Sequence, residues 1–205
     1  MAKQIHIKHD YKKGHSIMRK TNNIILLIFG ILLFFASYAF DHQANLFFKS
    51  LKLPLLEFLL SIITNFGVVI VVMLFIPLLA LHKKEKRLSH FLFLAFISSI
   101  ILAFIIKLIV LRQRPIEAFT YPFTNIVDYS FPSMHSMAVF ASLPFLTRHL
   151  KKQKYFWIAF AFLVAFSRVY LGFHFLSDVV FGAFFGYFIG ESILKLYGKN
   201  HGRHK

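Results

Sequence analysis

The segment 167–178, SRVYLGFHFLSD, sets Arg168, His174 and Asp178 inside an otherwise apolar stretch. His174 and Asp178 stand four apart, a spacing that puts both on one face of a helix. A carboxylate beside an imidazole fixes its tautomer and stabilises the imidazolium, the arrangement that activates a histidine. Gly172 is expected to let the chain break, folding Arg168 back over His174. The competing explanation is a structural His–Asp pair with a snorkelling arginine, but ionisable groups at membrane depth are functional by default.

Two further stretches carry groups of the same kind. In KLIVLRQRP, 107–115, Lys107 and Arg114 lie seven apart, two turns of helix, so both can point the same way. Arg112 sits between them, and anchoring at the membrane interface accounts for this cluster equally well. FPSMHS, 131–136, predicts a turn at Pro132 and an N-cap at Ser133. A helix start offers free N–H groups and the positive end of the dipole, an anion site that His135 would border. Taken alone, a cap with an interfacial histidine is more simply structural.

The elements that must position these groups are hydrophobic. Of 205 residues, 58% are apolar and 28 are Phe, which excludes an ordinary soluble domain. Apolar runs near 24–40, 66–81, 91–111, 137–148, 155–171 and 176–197 predict six transmembrane helices. The expected fold class is an all-α integral membrane bundle over 22–197, within a single domain 1–205 that has basic tails at 1–21 and 198–205. The first run ends at Ser37-Tyr38-Ala39 and mimics a cleavable signal, yet its length suits an uncleaved anchor. Pro144 should bend the fourth helix. The segment 44–60, interrupted by Lys49, Lys52, Pro54 and Glu57, suits an interfacial helical segment between the first two spans.

Charge supplies the orientation. The formal net charge of +16 gathers in the N-terminal tail, at 82–87, at 148–154 and at the C-terminal end. Six spans place all four clusters on one side, the cytoplasmic one, where they would meet anionic lipid headgroups. A nucleic-acid binder would not separate its cations by membrane-length apolar runs. The tail histidines His6, His9, His15, His201 and His204 are expected to be solvated rather than metal-binding. With no cysteine, disulfides are excluded.

All three polar clusters then share the opposite face. Lys107, Arg114 and Arg168, a helix start and two histidines converge there, and an anion belongs between them. Phosphate is the oxyanion that best matches guanidinium geometry.

The combination Lys107-x6-Arg114-Pro115, Pro132-Ser133-x-His135 and Ser167-Arg168-x5-His174-x3-Asp178 resembles the three-part signature of the type 2 phosphatidic acid phosphatase (PAP2) superfamily, over about 24–197. The resemblance implies a membrane lipid phosphatase of a bacterial plasma membrane, its active site facing outward. His174 would take up the phosphoryl group as phosphohistidine, Asp178 would orient it, and His135 would protonate the departing lipid oxygen. Lys107, Arg114 and Arg168, with Ser133, Met134 and nearby backbone N–H groups, would hold the phosphoryl oxygens. No cofactor and no metal are implied. Undecaprenyl pyrophosphate, phosphatidylglycerophosphate and phosphatidic acid are the candidate substrates. Met134 stands where the family commonly has Gly, and would be strained if that position required positive φ.

Two rivals use the same residues. His135, His174 and Asp178 could be metal ligands of a membrane hydrolase. Alternatively, the charges could line the pathway of an ion or anion transporter, although the sequence shows no internal repeat.

Overall fold

The computed structural model describes residues 24–115 and 128–201, with side chains described through Gly198. The N-terminal basic tail, the end of the C-terminal one and 116–127 of the long loop lie outside the described residues. Among the described residues all regular structure is helical: α1 (Ile24–Ala39), α2 (Asp41–Ser50), α3 (Pro54–Ile63), α4 (Phe66–Lys84), α5 (Lys86–Val110), α6 (Met134–His149), α7 (Lys154–Tyr170) and α8 (Leu176–His201). A 3-10 turn, Lys151–Gln153, joins α6 to α7.

The interfacial segment differs from its expectation. It is two helices rather than one, and α2 turns away from α1 by 62°. The break between α2 and α3 has a local cause. Pro54 opens α3, and the residue before a proline is driven out of helical geometry, so Leu53 is extended at φ −116°, ψ 121°. Tyr170 of α7 pins this break, its hydroxyl donating to Leu51 O (2.9 Å) and accepting from Leu53 N (3.0 Å).

Among the described residues α4, α5 and α8 are long and apolar enough to cross a membrane, and α1 with α2 makes a fourth span if the bent pair is counted as one. With 16 and 17 residues, α6 and α7 fall short of the roughly 20 that a 30 Å core requires. Length and composition therefore support three or four spans of the six expected. Large apolar side chains on α1, α4, α5 and α7, such as Phe29, Leu79, Ile109 and Phe162, face outward. The chain is an integral membrane protein.

Helix α6 is the core of the bundle. Every residue from Ser136 to Leu146 is buried, as expected of a helix surrounded by others. Helix α8 reaches it through Gly182, Gly186 and Gly190, spaced four apart on one face. A Cβ at Gly186 would lie 2.3 Å from Met137 O, and one at Gly190 would lie 2.2 Å from Ala141 O. Only glycine admits so close a backbone approach, the small-residue packing by which membrane helices associate. Pro144 lies within α6 without interrupting it. In α4, the π segment Val71–Phe75 ends two residues before Pro77, whose missing N–H could not have continued a regular ladder.

The two ends of this bundle are chemically distinct. At one end Arg148 pairs with Glu191, Tyr197 donates to Glu85, and Lys84 Nζ donates to His149 O (3.1 Å). The other end gathers the C-terminus of α5, the N-terminus of α6, the α7–α8 turn and α2.

Candidate active site

Helix α5 ends at Val110, because Leu111 turns left-handed (φ 53°) while its N–H still reaches Lys107 O (3.0 Å). Arg114 therefore lies beyond the helix, and the two-turn helical spacing expected for Lys107 and Arg114 does not hold. They meet nonetheless. Lys107 Nζ lies 3.0 Å from Asp128 Oδ1 and donates to Tyr129 O. Arg114 donates to Asp128 Oδ2 (2.5 Å), Asp128 O (2.7 Å) and Phe173 O (2.6 Å). What brings the cations together is Asp128, whose carboxylate both engage.

The turn between α7 and α8 is made by Gly172, at φ 77°, a conformation glycine adopts freely. It folds the chain as the sequence predicts, with His174 N donating to Arg168 O (3.1 Å). His174 lies just before α8 rather than within it, so a shared helical face is not what joins it to Asp178. Asp178 is the third residue of α8, and its Oδ2 reaches back to the N–H of Phe175 (2.9 Å), as in a capping box. That cap holds the carboxylate 3.7 Å from His174 Nδ1.

The direct partner of the imidazole is a carbonyl. His174 Nδ1 lies 2.8 Å from Ser130 O, so Nδ1 carries the proton and Nε2 keeps its lone pair. The hydroxyl of the same serine donates to Asp178 Oδ2 (2.5 Å). Asp178 thus orients His174 largely through Ser130. Burial, followed by the charges of Arg114, Arg168 and Lys107, holds the His174 imidazole well below its ordinary pKa. The neutral ring, a nucleophile, is the stable form.

Ser133 caps α6 as expected, its Oγ accepting from Ser136 N (3.4 Å) and Ser136 Oγ (3.1 Å). Its N–H donates to Asp178 O (3.1 Å), stapling the start of α6 to the first turn of α8. Met134 is the first residue of α6, and Leu111 is the one non-glycine residue with positive φ among the described residues. Methionine there carries no φ penalty. By helix geometry the N–H groups of Met134 and His135 have no partner within the helix. His135 packs edge-on against Phe66 (4.9 Å between ring centroids) and hydrogen-bonds the Thr64 backbone.

Arg168 is the exceptional cation. It is 7% exposed, its Nη1 donates to Thr64 Oγ1 (3.0 Å), and its guanidinium lies over the Phe173 ring at 4.4 Å. Its Nε–H has no acceptor, and no carboxylate stands within 4 Å of it among the described residues.

Sequence reasoning missed four contributors. Arg112, expected as an interfacial anchor, bonds Asp178 Oδ1 (2.7 Å), Ser177 Oγ (2.7 Å) and Asp41 Oδ2 (2.7 Å). Asp41 also accepts from Ser177 N (2.8 Å) and Ser177 Oγ (2.5 Å). Ser130 and Thr64 complete the set. Asp41 offered one signal, a lone carboxylate at the end of an apolar span; Ser130 and Thr64 offered none. Among the described residues no group of three or more His, Asp or Glu side chains is arranged to hold a metal ion.

Comparison with known proteins is consistent with this geometry. The sequence profile of the PAP2 superfamily matches residues 88–201. An undecaprenyl-diphosphatase of Sulfolobus acidocaldarius is 33% identical over 119 residues, 55% of this chain and 56% of that protein. The chain thus spans little more than half the length of that relative. The fold is similar to a transmembrane PAP2-type phosphatidylglycerolphosphate phosphatase from Bacillus subtilis (TM-score 0.67, 24% identity, 86% of this chain and 96% of that one). It is also similar to LpxE from Aquifex aeolicus (TM-score 0.61, 24% identity, 76% and 94%).

Proposed function

The chain belongs to the PAP2 superfamily, and from that premise we propose that it is a membrane lipid phosphatase working through a phosphohistidine at His174. The observation that carries this reading is the pairing of a neutral, buried His174 with Arg168, a buried guanidinium whose Nε–H lacks an acceptor among the described residues. A buried guanidinium with an unmet N–H is costly, and a phosphoryl oxygen beside the imidazole would supply the acceptor.

The chemistry follows from the atoms. Nε2 of His174 attacks phosphorus, forming the N–P bond as the bond to the lipid oxygen breaks. His135, at the first turn of α6, donates the proton to that oxygen. The ring becomes cationic as it is phosphorylated, and Asp178 at 3.7 Å stabilises it. Water then attacks phosphorus with His135 as base, releasing orthophosphate and restoring neutral His174. Arg168, the N–H groups of Met134 and His135, and Ser133 bind the phosphoryl oxygens. Lys107 and Arg114 complete the clamp by exchanging part of their Asp128 contacts for phosphate. Stabilising developing charge with fixed donors supplies most of the catalysis.

The substrate class we favour is a lipid pyrophosphate or monophosphate presented from the bilayer, with undecaprenyl pyrophosphate, phosphatidylglycerophosphate and phosphatidic acid as candidates. We place the site on the extracytoplasmic face of a bacterial plasma membrane, with α6 and α7 completing six spans. The basic end would then face anionic headgroups on the cytoplasmic side. The test is orthophosphate release by purified protein in detergent from each of the three lipids, with and without chelator. Release that withstands chelator and is blocked by vanadate is expected. No release from any of them overturns the reading.

A further inference from the structure

Asp178 does not face His174 alone. Its Oδ1 is engaged by the guanidinium of Arg112 at 2.7 Å, which by itself would cancel its charge. A neutral Arg112–Asp178 pair has little to offer an imidazole that turns cationic on phosphorylation. The other face of Arg112 meets a second carboxylate, Asp41, also at 2.7 Å. Two carboxylates and one guanidinium leave one net negative charge beside His174. Asp41 is the sole buried residue of α2, on a helix whose other side chains are exposed or half-buried. Nothing in the packing of α2 alone calls for a buried carboxylate there.

We propose that Asp41 is a positioning residue of the hydrolytic site: by neutralising Arg112 it leaves the Asp178 carboxylate free to stabilise the phosphorylated imidazolium of His174. The role rests on the phosphohistidine reading given above. Asp41 touches neither substrate nor His174; it acts through Arg112, and Ser177 holds it in place through two hydrogen bonds. The stabilised charge arises only after attack. Loss of Asp41 therefore acts on kcat and hardly on KM, because substrate binding precedes it.

The test uses full-length protein in detergent, with phosphate release from dioctanoyl phosphatidic acid and farnesyl pyrophosphate as probes and the thermal midpoint followed for each variant. Asp41→Asn should lower kcat by about 10- to 100-fold with KM within about threefold, in the range typical of residues supporting a catalytic group. Asp41→Asn combined with Arg112→Gln restores the net negative charge and should recover about fivefold or more of the kcat lost by Asp41→Asn alone, a coupling of opposite sign to a lost bridge. A purely structural clamp predicts the reverse, a double variant no better than the single. Should Asp41→Asn not fold, Asp41→Glu and Arg112→Lys decide, because both keep the charges while altering the bridge. Each should retain at least about a third of the wild-type kcat if charge is the contribution. Folded charge-preserving variants that keep less than about a third of the wild-type kcat, or a double variant without recovery, overturn the inference. Wild-type protein inactive on both probes and on the three candidate lipids instead overturns the phosphatase reading itself.

Discussion

Both ends of the bundle carry arginine, lysine, histidine and acid, yet they treat charge in opposite ways. At the basic end Arg148 stays 41% exposed while its partner Glu191 is buried, and the Lys84 ammonium is exposed. Each cation there keeps one side in contact with polar surroundings, as an anchor requires. At the other end Lys107, Arg168, His174 and Asp178 are all under 8% exposed. Those groups meet partners inside the protein, and among the described residues one guanidinium nitrogen meets none. Under the proposed function the exposed cations of the basic end would serve orientation, and the cations withdrawn from water at the other end would serve chemistry.

Helix α8 spans both ends, so Gly186→Leu should break the whole comparison. Its side chain would collide with the backbone of Met137, and loss of folded protein by size-exclusion and thermal melting is expected. Next in size, His174→Ala should cost about 10⁴-fold or more in kcat without altering the thermal midpoint by more than a few degrees. Arg168→Lys keeps the charge but loses the fork and its Nε–H, and should cost about 10²-fold in phosphate release. The matching change at the basic end, Arg148→Gln, should leave kcat within about threefold because it lies at the end away from His174, while the buried Glu191 it strands should lower the thermal midpoint.

The smallest effect concerns protonation. Burial and three neighbouring cations disfavour the protonated His174, so its ¹⁵N imidazole shift should stay that of the neutral, Nδ1-protonated ring as pH falls through 6.5, its ordinary value. Arg114→Gln removes one of those charges, and the ring should then begin to protonate at higher pH than in the wild type. A wild-type ring that titrates near 6.5 would contradict the burial described here.

How much of this was legible in the sequence follows from how far each signal reaches. Helix α5 was predicted at 91–111 and runs Lys86–Val110, because a long apolar run states its own length. The capping role of Ser133 was legible for the same reason, being local. The convergence of Lys107 with Arg114 was expected for the wrong reason, since helical spacing cannot foresee the left-handed Leu111 that ends the helix before Arg114. The expected single interfacial helix breaks at Pro54, a local signal whose effect on Leu53 the sequence does carry. The bridge that joins Asp41, Arg112 and Asp178 was beyond reach, because Asp41 lies 137 residues from Asp178 and only tertiary folding joins them.

The most direct measurement is phosphoenzyme trapping: acid-free quenching after mixing with a lipid carrying ³²P at its terminal phosphate, then location of the label by peptide mapping. The account predicts an acid-labile, base-stable label on the peptide containing His174, absent in His174→Ala and accumulating in His135→Gln when a lipid with a good leaving group is used. A label that persists in His174→Ala, or phosphate release with no phosphoenzyme at any time during turnover, would contradict it.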